Sequence, residues 1–123
     1  MEMEVTNQNA EYMTVGRCLI VKVNGDLDHC RADVIRRQTD VYLYRGNIKY
    51  VLFDVSEVDF CDSSGIGLIA GRYKKVKLVG GSVALIGIKE ATDRIFRASG
   101  IYRIAEQFMT MEEALFCYQS RIS

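Results

Sequence analysis

The segment IKYVLFDV, residues 48–55, constrains the fold of this chain more than any other segment. It is a near-continuous apolar run with polar residues at its borders. Runs of this kind are typical of strands that are covered on both faces, as in sheets with helices packed against them. The segment therefore predicts the central strand of an α/β layer.

The residues before this strand predict a hairpin and a helix. Residues 11–15 and 17–23 have the composition of two short strands separated by a glycine. Asp26 and Asp28 are candidate N-caps of the helix that follows, and Gly46 is expected to end it. The positions that recur at helical spacing in this segment are Val34, Ile35, Gln38, Val41 and Tyr42.

The residues after the central strand continue the alternation of helices and strands. Residues 82–88 predict another strand and residues 90–99 a short helix, and residues 101–108 are expected to add a short edge strand. Thr110 and Glu113 have capping-box spacing at the start of a last helix. The chain therefore predicts an α/β fold with a mixed sheet of four to five strands flanked by about four helices.

The length and charge of the chain limit its partners. Its 123 residues suit a single domain, and its 16 basic and 16 acidic residues leave no net field to attract nucleic acid or an anionic membrane. The longest apolar runs are far shorter than the roughly 20 residues of a membrane span, and the N-terminus is acidic, unlike a signal peptide. We therefore expect a cytoplasmic protein with no nucleic-acid or membrane partner.

The cysteines do not predict a metal site. Cys18, Cys30, Cys61 and Cys117 are widely separated and form no CxxC or Cys/His cluster. The chain has one histidine, so a zinc site is not expected. We expect buried, reduced thiols and no metal or cofactor.

The segment DSSG, residues 62–65, joins the central strand to the next helix. Asp62 is expected to be the N-cap and Ser63 the first helical residue. At 100° per residue, one stripe of this helix is predicted to face the sheet, and its residues are Ile66, Ile69, Ala70, Tyr73 and Lys77, with Val76 at the margin. The residues predicted to lie on the other side are Ser64, Gly67, Leu68, Gly71 and Lys75.

The two glycines on the outer side of this helix have two interpretations. A glycine inside a helix costs about 1 kcal/mol relative to alanine, so Gly67 and Gly71 need a reason. One hypothesis is that they flatten a docking surface on which Leu68 is an exposed apolar contact beside the serines. The other is that glycines accumulate near helix starts, and the residues by themselves leave both open.

Ser63 has several candidate roles. A serine hydrolase is a distant alternative, because Cys61 occupies the first glycine position of G-x-S-x-G and only His29 could act as the base. The glycine spacing does not match a dinucleotide or P-loop motif. A phosphate on Ser63 would lie at a helix N-terminus, where the fold tolerates it, but would repel a partner carboxylate. The segment is equally typical of a plain helix cap.

The end of the same helix is basic. Its cations are Arg72, Lys74, Lys75 and Lys77. Such residues favour a helix C-terminus and solvate its face. Alternatively, they steer an acidic partner surface towards the protein.

Three segments give the chain a family resemblance. Residues 51–81, VLFDVSEVDFCDSSGIGLIAGRYKKVKLVGG, resemble the central signature of STAS-domain anti-sigma factor antagonists. VNGDLDH, residues 23–29, is similar to the G-[DE]-L-D loop of that family, and RIFRASGIYRI, residues 94–104, resembles its next helix and turn. The likeness spans about residues 11–118 and is greatest to the sporulation members.

The resemblance implies a regulatory protein that is not an enzyme. Such proteins, when unphosphorylated, bind a serine kinase that acts as an anti-sigma factor and make it release its sigma factor. The kinase then phosphorylates the first serine of DSSG, here Ser63, and a serine phosphatase reverses this. The candidate partner contacts, from the family loop and from the outer helix side, are Asp26, Leu27, Asp28, Asp62, Ser64, Gly65, Gly67 and Leu68.

Two of these assignments have alternatives. The loop aspartates Asp26 and Asp28 could be ordinary N-caps instead of partner contacts. The chain as a whole could have another STAS role, as a scaffold of a stress complex or a subunit of a lipid-transport assembly, without a phospho-switch.

Overall fold

The computed structural model describes residues 4–122. Its strands are β1 (Glu4–Thr6), β2 (Ala10–Val15), β3 (Cys18–Val23), β4 (Tyr50–Asp54), β5 (Ser82–Ile86) and β6 (Ala105–Phe108). Its helices are α1 (His29–Arg45), α2 (Ser63–Lys77), α3 (Glu90–Ser99) and α4 (Met111–Ile122), with a 3-10 turn at Ile101–Arg103.

The strands form one mixed sheet in which spatial order equals chain order, β1-β2-β3-β4-β5-β6. The first three strands pair antiparallel, and β3 to β6 pair parallel. The predicted α/β fold with an initial hairpin is therefore confirmed. Within residues 4–122 the sheet has six strands, more than the four to five expected, because Glu4–Thr6 adds a short edge strand beside β2.

The central strand prediction is also confirmed. In β4, which lies between β3 and β5, Leu52 is in register with Ile20 on one side and Ala84 on the other. The first four residues of β4 are buried, because the sheet has helices on both faces. Phe53 belongs to the core beneath α1, α2 and α3, whereas Tyr50 faces α4 and stacks on Tyr118 with ring centroids 4.3 Å apart.

Helix α1 begins and ends where the sequence predicts. The Asp28 side chain accepts a hydrogen bond from the Arg31 backbone N–H at 2.8 Å, and Gly46 follows the last turn with φ 85°. Ile35 is buried, but the prediction that Val41 faces the core is wrong, since its side chain is 42 % exposed. Six residues at 100° each place Val41 about 120° away from Ile35 around the helix.

The C-terminal third follows its turn signals. Gly100 ends α3 in the left-handed conformation, with φ 79°. The Thr110 hydroxyl oxygen accepts a hydrogen bond from the backbone N–H of Glu113 at 3.2 Å, so the predicted cap of α4 is confirmed. The predicted edge strand is shorter than residues 101–108, because its first three residues form the 3-10 turn.

Parallel pairing brings the functional segments together. The carboxyl ends of β3 and β4 lie at the same end of the sheet, and α1 and α2 both begin there. The loop at Asp26–Asp28 follows β3, and the DSSG segment follows β4. Since neighbouring strands lie about 5 Å apart, the two segments become neighbours.

Candidate functional site

The DSSG turn is a capped helix start. The Asp62 carboxylate accepts hydrogen bonds from the backbone N–H groups of Ser64 at 2.9 Å and Gly65 at 3.1 Å. Asp62 is therefore the N-cap and Ser63 the first residue of α2, as predicted. The Ser63 side chain is exposed and has no hydrogen bond within the described residues.

Leu27 ties the two loops to each other. Its backbone N–H donates to the Phe60 carbonyl at 2.9 Å, and its carbonyl accepts from the Asp62 N–H at 3.1 Å. These bonds form a short parallel bridge between Leu27 and Cys61. The Leu27 side chain is fully buried, so its prediction as a partner contact is wrong for the side chain: Leu27 anchors the loop under the serine turn.

The two loop aspartates have different structural roles. Asp28 caps α1, whereas one carboxylate oxygen of Asp26 accepts from the backbone N–H groups of Asp59 and Phe60, each at 3.1 Å. Arg31 donates to the Asp26 carbonyl at 2.7 Å. Asp26 is thus not a helix cap but holds the segment that leads to the serine. Both carboxylates are on exposed residues and accessible to a partner.

Gly65 is required by a close approach. It is buried, and a Cβ at this position would lie 2.5 Å from Cys61 Sγ and 2.8 Å from Leu27 Cβ. Its prediction as a partner contact is therefore wrong, because its role is to let α2 start directly against the loop. Gly67, in contrast, is exposed and has open space where a Cβ would be, as the docking-surface hypothesis requires.

His29 lies against the second serine and not against the first. Its Nδ1 is 3.1 Å from Ser64 Oγ, at one end of a groove of about 230 Å³ between α1 and α2. Ala32, Asp33 and Gly67 also line this groove. His29, the only histidine, therefore does not hydrogen-bond Ser63, and the hydrolase alternative lacks its base at this serine.

The prediction that Leu68 is an exposed contact is wrong. Its side chain is 3 % exposed and belongs to the main core. The helical-wheel argument considered only the sheet as a neighbour of α2, but α1 packs along the flank of α2 as well. The exposed apolar side chain of the site is instead Phe60, at 51 % exposure, on the loop that precedes the serine turn.

Arg72 is buried for the same reason, so its interpretation as a solvated surface cation is wrong. Its Nη1 lies 2.6 Å from the Asp40 carboxylate, 2.8 Å from Thr39 Oγ1 and 3.0 Å from the Arg36 carbonyl. Lys75 also donates to Asp40, at 2.7 Å. Partial burial raises the pKa of Asp40, but the hydrogen bond from Lys75 and the charge of Arg72 outweigh it and hold the pKa below its usual range.

The cysteines are free thiols, as expected. Burial, and secondarily the charge of Asp62, raises the pKa of Cys61 to about 12, so this neighbour of the serine turn stays protonated. Burial likewise raises the pKa of Cys18 to about 11. The expectation of buried thiols is wrong for Cys30, which is exposed on the first turn of α1.

Two searches bear on other classes of function. Within residues 4–122, no group of three or more His, Cys, Asp or Glu side chains is arranged to hold a metal ion. In the same range, no helix has both the length and the apolar character needed to cross a bilayer.

Comparison with known proteins places the chain among regulators of sigma factors. Residues 9–114 match the family described as the STAS domain. The chain is 35 % identical over 86 residues to an anti-sigma F factor antagonist of Paenibacillus polymyxa, covering 70 % of this chain and 74 % of that protein. It is 32 % identical over 87 residues to an anti-sigma-B factor antagonist of Bacillus subtilis, covering 70 % and 77 %.

A solved structure agrees with these matches. It is the anti-sigma factor antagonist SpoIIAA in its unphosphorylated form, which superposes with a TM-score of 0.82 at 25 % sequence identity. The superposition covers 90 % of this chain and 96 % of that one. The likeness therefore includes the whole sheet and its helices.

Proposed function

The chain belongs to the STAS-domain family, and we propose that it is an anti-sigma factor antagonist controlled by phosphorylation of Ser63. Unphosphorylated, it binds a serine kinase that acts as an anti-sigma factor and causes release of the sigma factor. Phosphorylation by that kinase ends the binding, and a serine phosphatase restores it. The observation that carries the proposal is the exposed, unbonded Ser63 hydroxyl at the start of a rigidly held helix.

The fold is built to tolerate a phosphate on Ser63. The site is a helix N-terminus, whose dipole and free N–H groups favour an anion by about 0.3–1 kcal/mol. The helix start is held by the Asp62 cap and by the backbone bonds of Leu27, none of which uses the Ser63 side chain. Phosphorylation is therefore expected to leave the unfolding free energy nearly unchanged.

The effect on a partner is much larger. A partner carboxylate about 6 Å from the phosphate would experience about 2–3 kcal/mol of repulsion for each added charge at an effective dielectric near 20. Since 1.4 kcal/mol is about a tenfold change in affinity, one such contact weakens binding by about a hundredfold. Asp62, adjacent and negative, adds to the same field. A modification that is neutral for folding thus acts as a switch for binding.

The proposed contact surface consists of the exposed groups around Ser63. Asp26 and Asp28 present carboxylates from the loop, and Gly67 leaves a flat stretch one turn along α2. Phe60 takes the place of Leu68 as the apolar contact. Asp62 and Ser64, which are half-buried, flank the phosphoacceptor and contribute at its edge.

The chemistry is done to this protein and not by it. Ser63 has no base within hydrogen-bond distance among the described residues, so its activation must come from the kinase. We place the protein in the cytoplasm, where a sigma factor and its kinase act.

Phosphopeptide mapping tests the proposal. The protein is incubated with ATP and its cognate anti-sigma kinase, and its intact mass and phosphorylated peptide are determined. One phosphate, on Ser63, with loss of kinase binding is the expected result. No phosphate, or a phosphate elsewhere, would contradict the switch and favour a scaffold or lipid-transport role.

Two variants test the electrostatic step separately. Ser63→Ala should bind the kinase and resist inactivation, whereas Ser63→Asp should bind at least tenfold more weakly. The two proteins differ at one exposed position, so their stabilities should be nearly equal. Equal affinities of the two variants would refute the electrostatic account.

A further inference from the structure

The charges of this neutral chain are separated between its two ends. We call the end at the carboxyl edge of β3 and β4 the serine pole, defined by Asp26, Asp28, Asp54, Phe60, Asp62 and Ser63. The opposite end is the basic pole, where α1 and α2 end and the parallel strands begin. Its exposed or half-buried cations are Arg17, Arg45, Lys49, Lys74 and Lys77.

These charges are not neutralised locally. Within residues 4–122, none of the five cations of the basic pole forms an ion pair, and Asp40, the carboxylate nearest to them, is taken up by Arg72 and Lys75. At the serine pole, the carboxylates Asp26, Asp28, Asp54 and Asp62 also form no ion pair in this range. Their hydrogen bonds are to backbone N–H groups.

Helix dipoles offset only part of this separation. Each helix end carries about half a charge, so the starts of α1 and α2 cancel about one carboxylate and their ends about one cation. Arg31 cancels a second carboxylate at the serine pole. A net charge of about −2 remains at one pole and about +4 at the other.

Each pole also exposes apolar surface. At the basic pole, Tyr44 is 93 % exposed and Leu78 87 % exposed, beside a groove of about 400 Å³. The apolar lining of this groove is Leu43, Tyr44, Ile48, Val76 and Val79. At the serine pole, Phe60 projects from the loop before Ser63.

We propose that the basic pole of one copy of this chain docks on the serine pole of a second copy, with Phe60 of the second copy entering the groove between Tyr44 and Val79. A phenyl ring has the size to fill part of such a groove and buries about 150–250 Å² when it does so. The contact is heterologous, because two different surfaces meet. It therefore extends head to tail into short open chains and does not close as a two-fold dimer.

The charge pattern selects this arrangement over others. A symmetric dimer through either pole would bring like charges together, whereas the head-to-tail contact pairs opposite charges around an apolar centre. A bilayer surface supplies no side chain that could fill the concave groove. Because exposed charges are screened over about 10 Å at 0.1 M salt, the association is favoured at low ionic strength.

Sedimentation velocity over a range of protein concentrations tests this proposal without any kinase. At low ionic strength the weight-average mass should rise with concentration, and in about 0.5 M salt the association should be at least tenfold weaker. A mass that stays monomeric at low salt and high concentration overturns the proposal. So does binding to anionic phosphatidylglycerol vesicles without any self-association.

Two pole variants then identify the surfaces. Tyr44→Glu adds an acid to the basic pole, and Phe60→Lys removes the apolar side chain of the serine pole and reverses local charge. Each variant should remain monomeric, with a thermal unfolding transition that verifies its fold. Their equimolar mixture should form dimers and nothing larger, because each variant keeps one intact pole.

A matched control distinguishes the poles from general exposure of aromatic residues. Phe116 is 77 % exposed on the solvent side of α4, away from both poles, so Phe116→Glu should associate like the wild type. Self-association by Tyr44→Glu, a mixture that stays monomeric, or loss of association in Phe116→Glu would each overturn the proposed contact.

Discussion

The imidazole Nδ1 of His29 lies 3.1 Å from the hydroxyl oxygen of Ser64, whereas the adjacent Ser63 hydroxyl has no such partner within the described residues. The two serines are neighbours in sequence but differ in freedom. Ser64 is tied to α1 across the groove, and Ser63 points to solvent. This difference explains why a kinase would meet only one reactive hydroxyl.

The first prediction concerns the choice between these serines. His29→Ala removes the hydrogen bond to Ser64, which is worth about 1 kcal/mol, and should raise the share of phosphate on Ser64 about fivefold. Phosphopeptide mapping after incubation with kinase and ATP measures that share. Asp33→Ala is the matched control, since Asp33 lines the same groove without bonding Ser64. An unchanged share in His29→Ala would show that the kinase itself makes the selection.

The second prediction contrasts two glycines two positions apart in α2. Gly65→Ala introduces a Cβ into the contact with Cys61 and Leu27 and should lower the unfolding free energy by about 1–3 kcal/mol. Gly67→Ala places its Cβ in open space and should raise it by about 1 kcal/mol. Chemical denaturation measures both values.

The same glycine pair tests the docking surface. If the flat stretch at Gly67 contacts the kinase, Gly67→Ala should bind it more weakly although the protein is more stable. Stability and affinity then change in opposite directions, which a general folding defect cannot produce. Unchanged affinity in Gly67→Ala would remove this residue from the contact surface.

The third prediction is a pH dependence that arises from Asp40. Removal of one member of a buried ion pair costs about 3–5 kcal/mol, and because Asp40 is one-third exposed we expect about 2 kcal/mol for Asp40→Asn at pH 7. The folded-state pKa of Asp40 lies below its usual value. Its contribution is therefore complete above the unfolded-state pKa near 4 and is lost as the pH falls through the lower folded-state value.

Denaturation at several pH values tests this sign. The difference between the wild type and Asp40→Asn should be constant from about pH 7 to pH 5 and shrink below about pH 4. Asp33→Asn, which changes an exposed carboxylate on the same helix, should have a smaller effect at pH 7. A difference that grows in acid would contradict the assignment.

The fourth prediction separates two roles of Asp26. Asp26→Ala removes the acceptor for two backbone N–H groups and should cost about 1–2 kcal/mol of stability, whereas Asp26→Asn keeps an acceptor oxygen and should cost less. If the charge also contacts the kinase, Asp26→Asn should still lose affinity. Titration calorimetry against the kinase measures this loss, and wild-type affinity in Asp26→Asn would limit Asp26 to holding the loop.

Local signals in the sequence predicted much of the fold. Asp28, Asp62 and Thr110 each lie before a helix with a side-chain oxygen at the correct position, and each caps that helix. The continuous apolar run of β4 likewise indicated a strand with covered faces. These features depend on residues within a few positions of one another, so the sequence pattern contains them.

Contacts between distant segments were not predictable in this way. The hydrogen bonds of Asp26 to Asp59 and Phe60 join segments more than 30 residues apart, and nothing in the local sequence distinguishes Asp26 from a helix cap. The requirement for glycine at residue 65 has the same origin, since the colliding Leu27 lies in another loop.

The sequence by itself determined the order of the elements, the caps and the serine that begins α2, because these follow from short-range hydrogen bonding and from the periodicity of apolar side chains. Only the tertiary structure decided which flank of α2 is buried. A helical wheel gives the direction of each side chain but not the number of neighbours around the helix. Since α1 covers one flank of α2, Leu68 and Arg72 are core residues, and the exposed apolar contact of the site is Phe60.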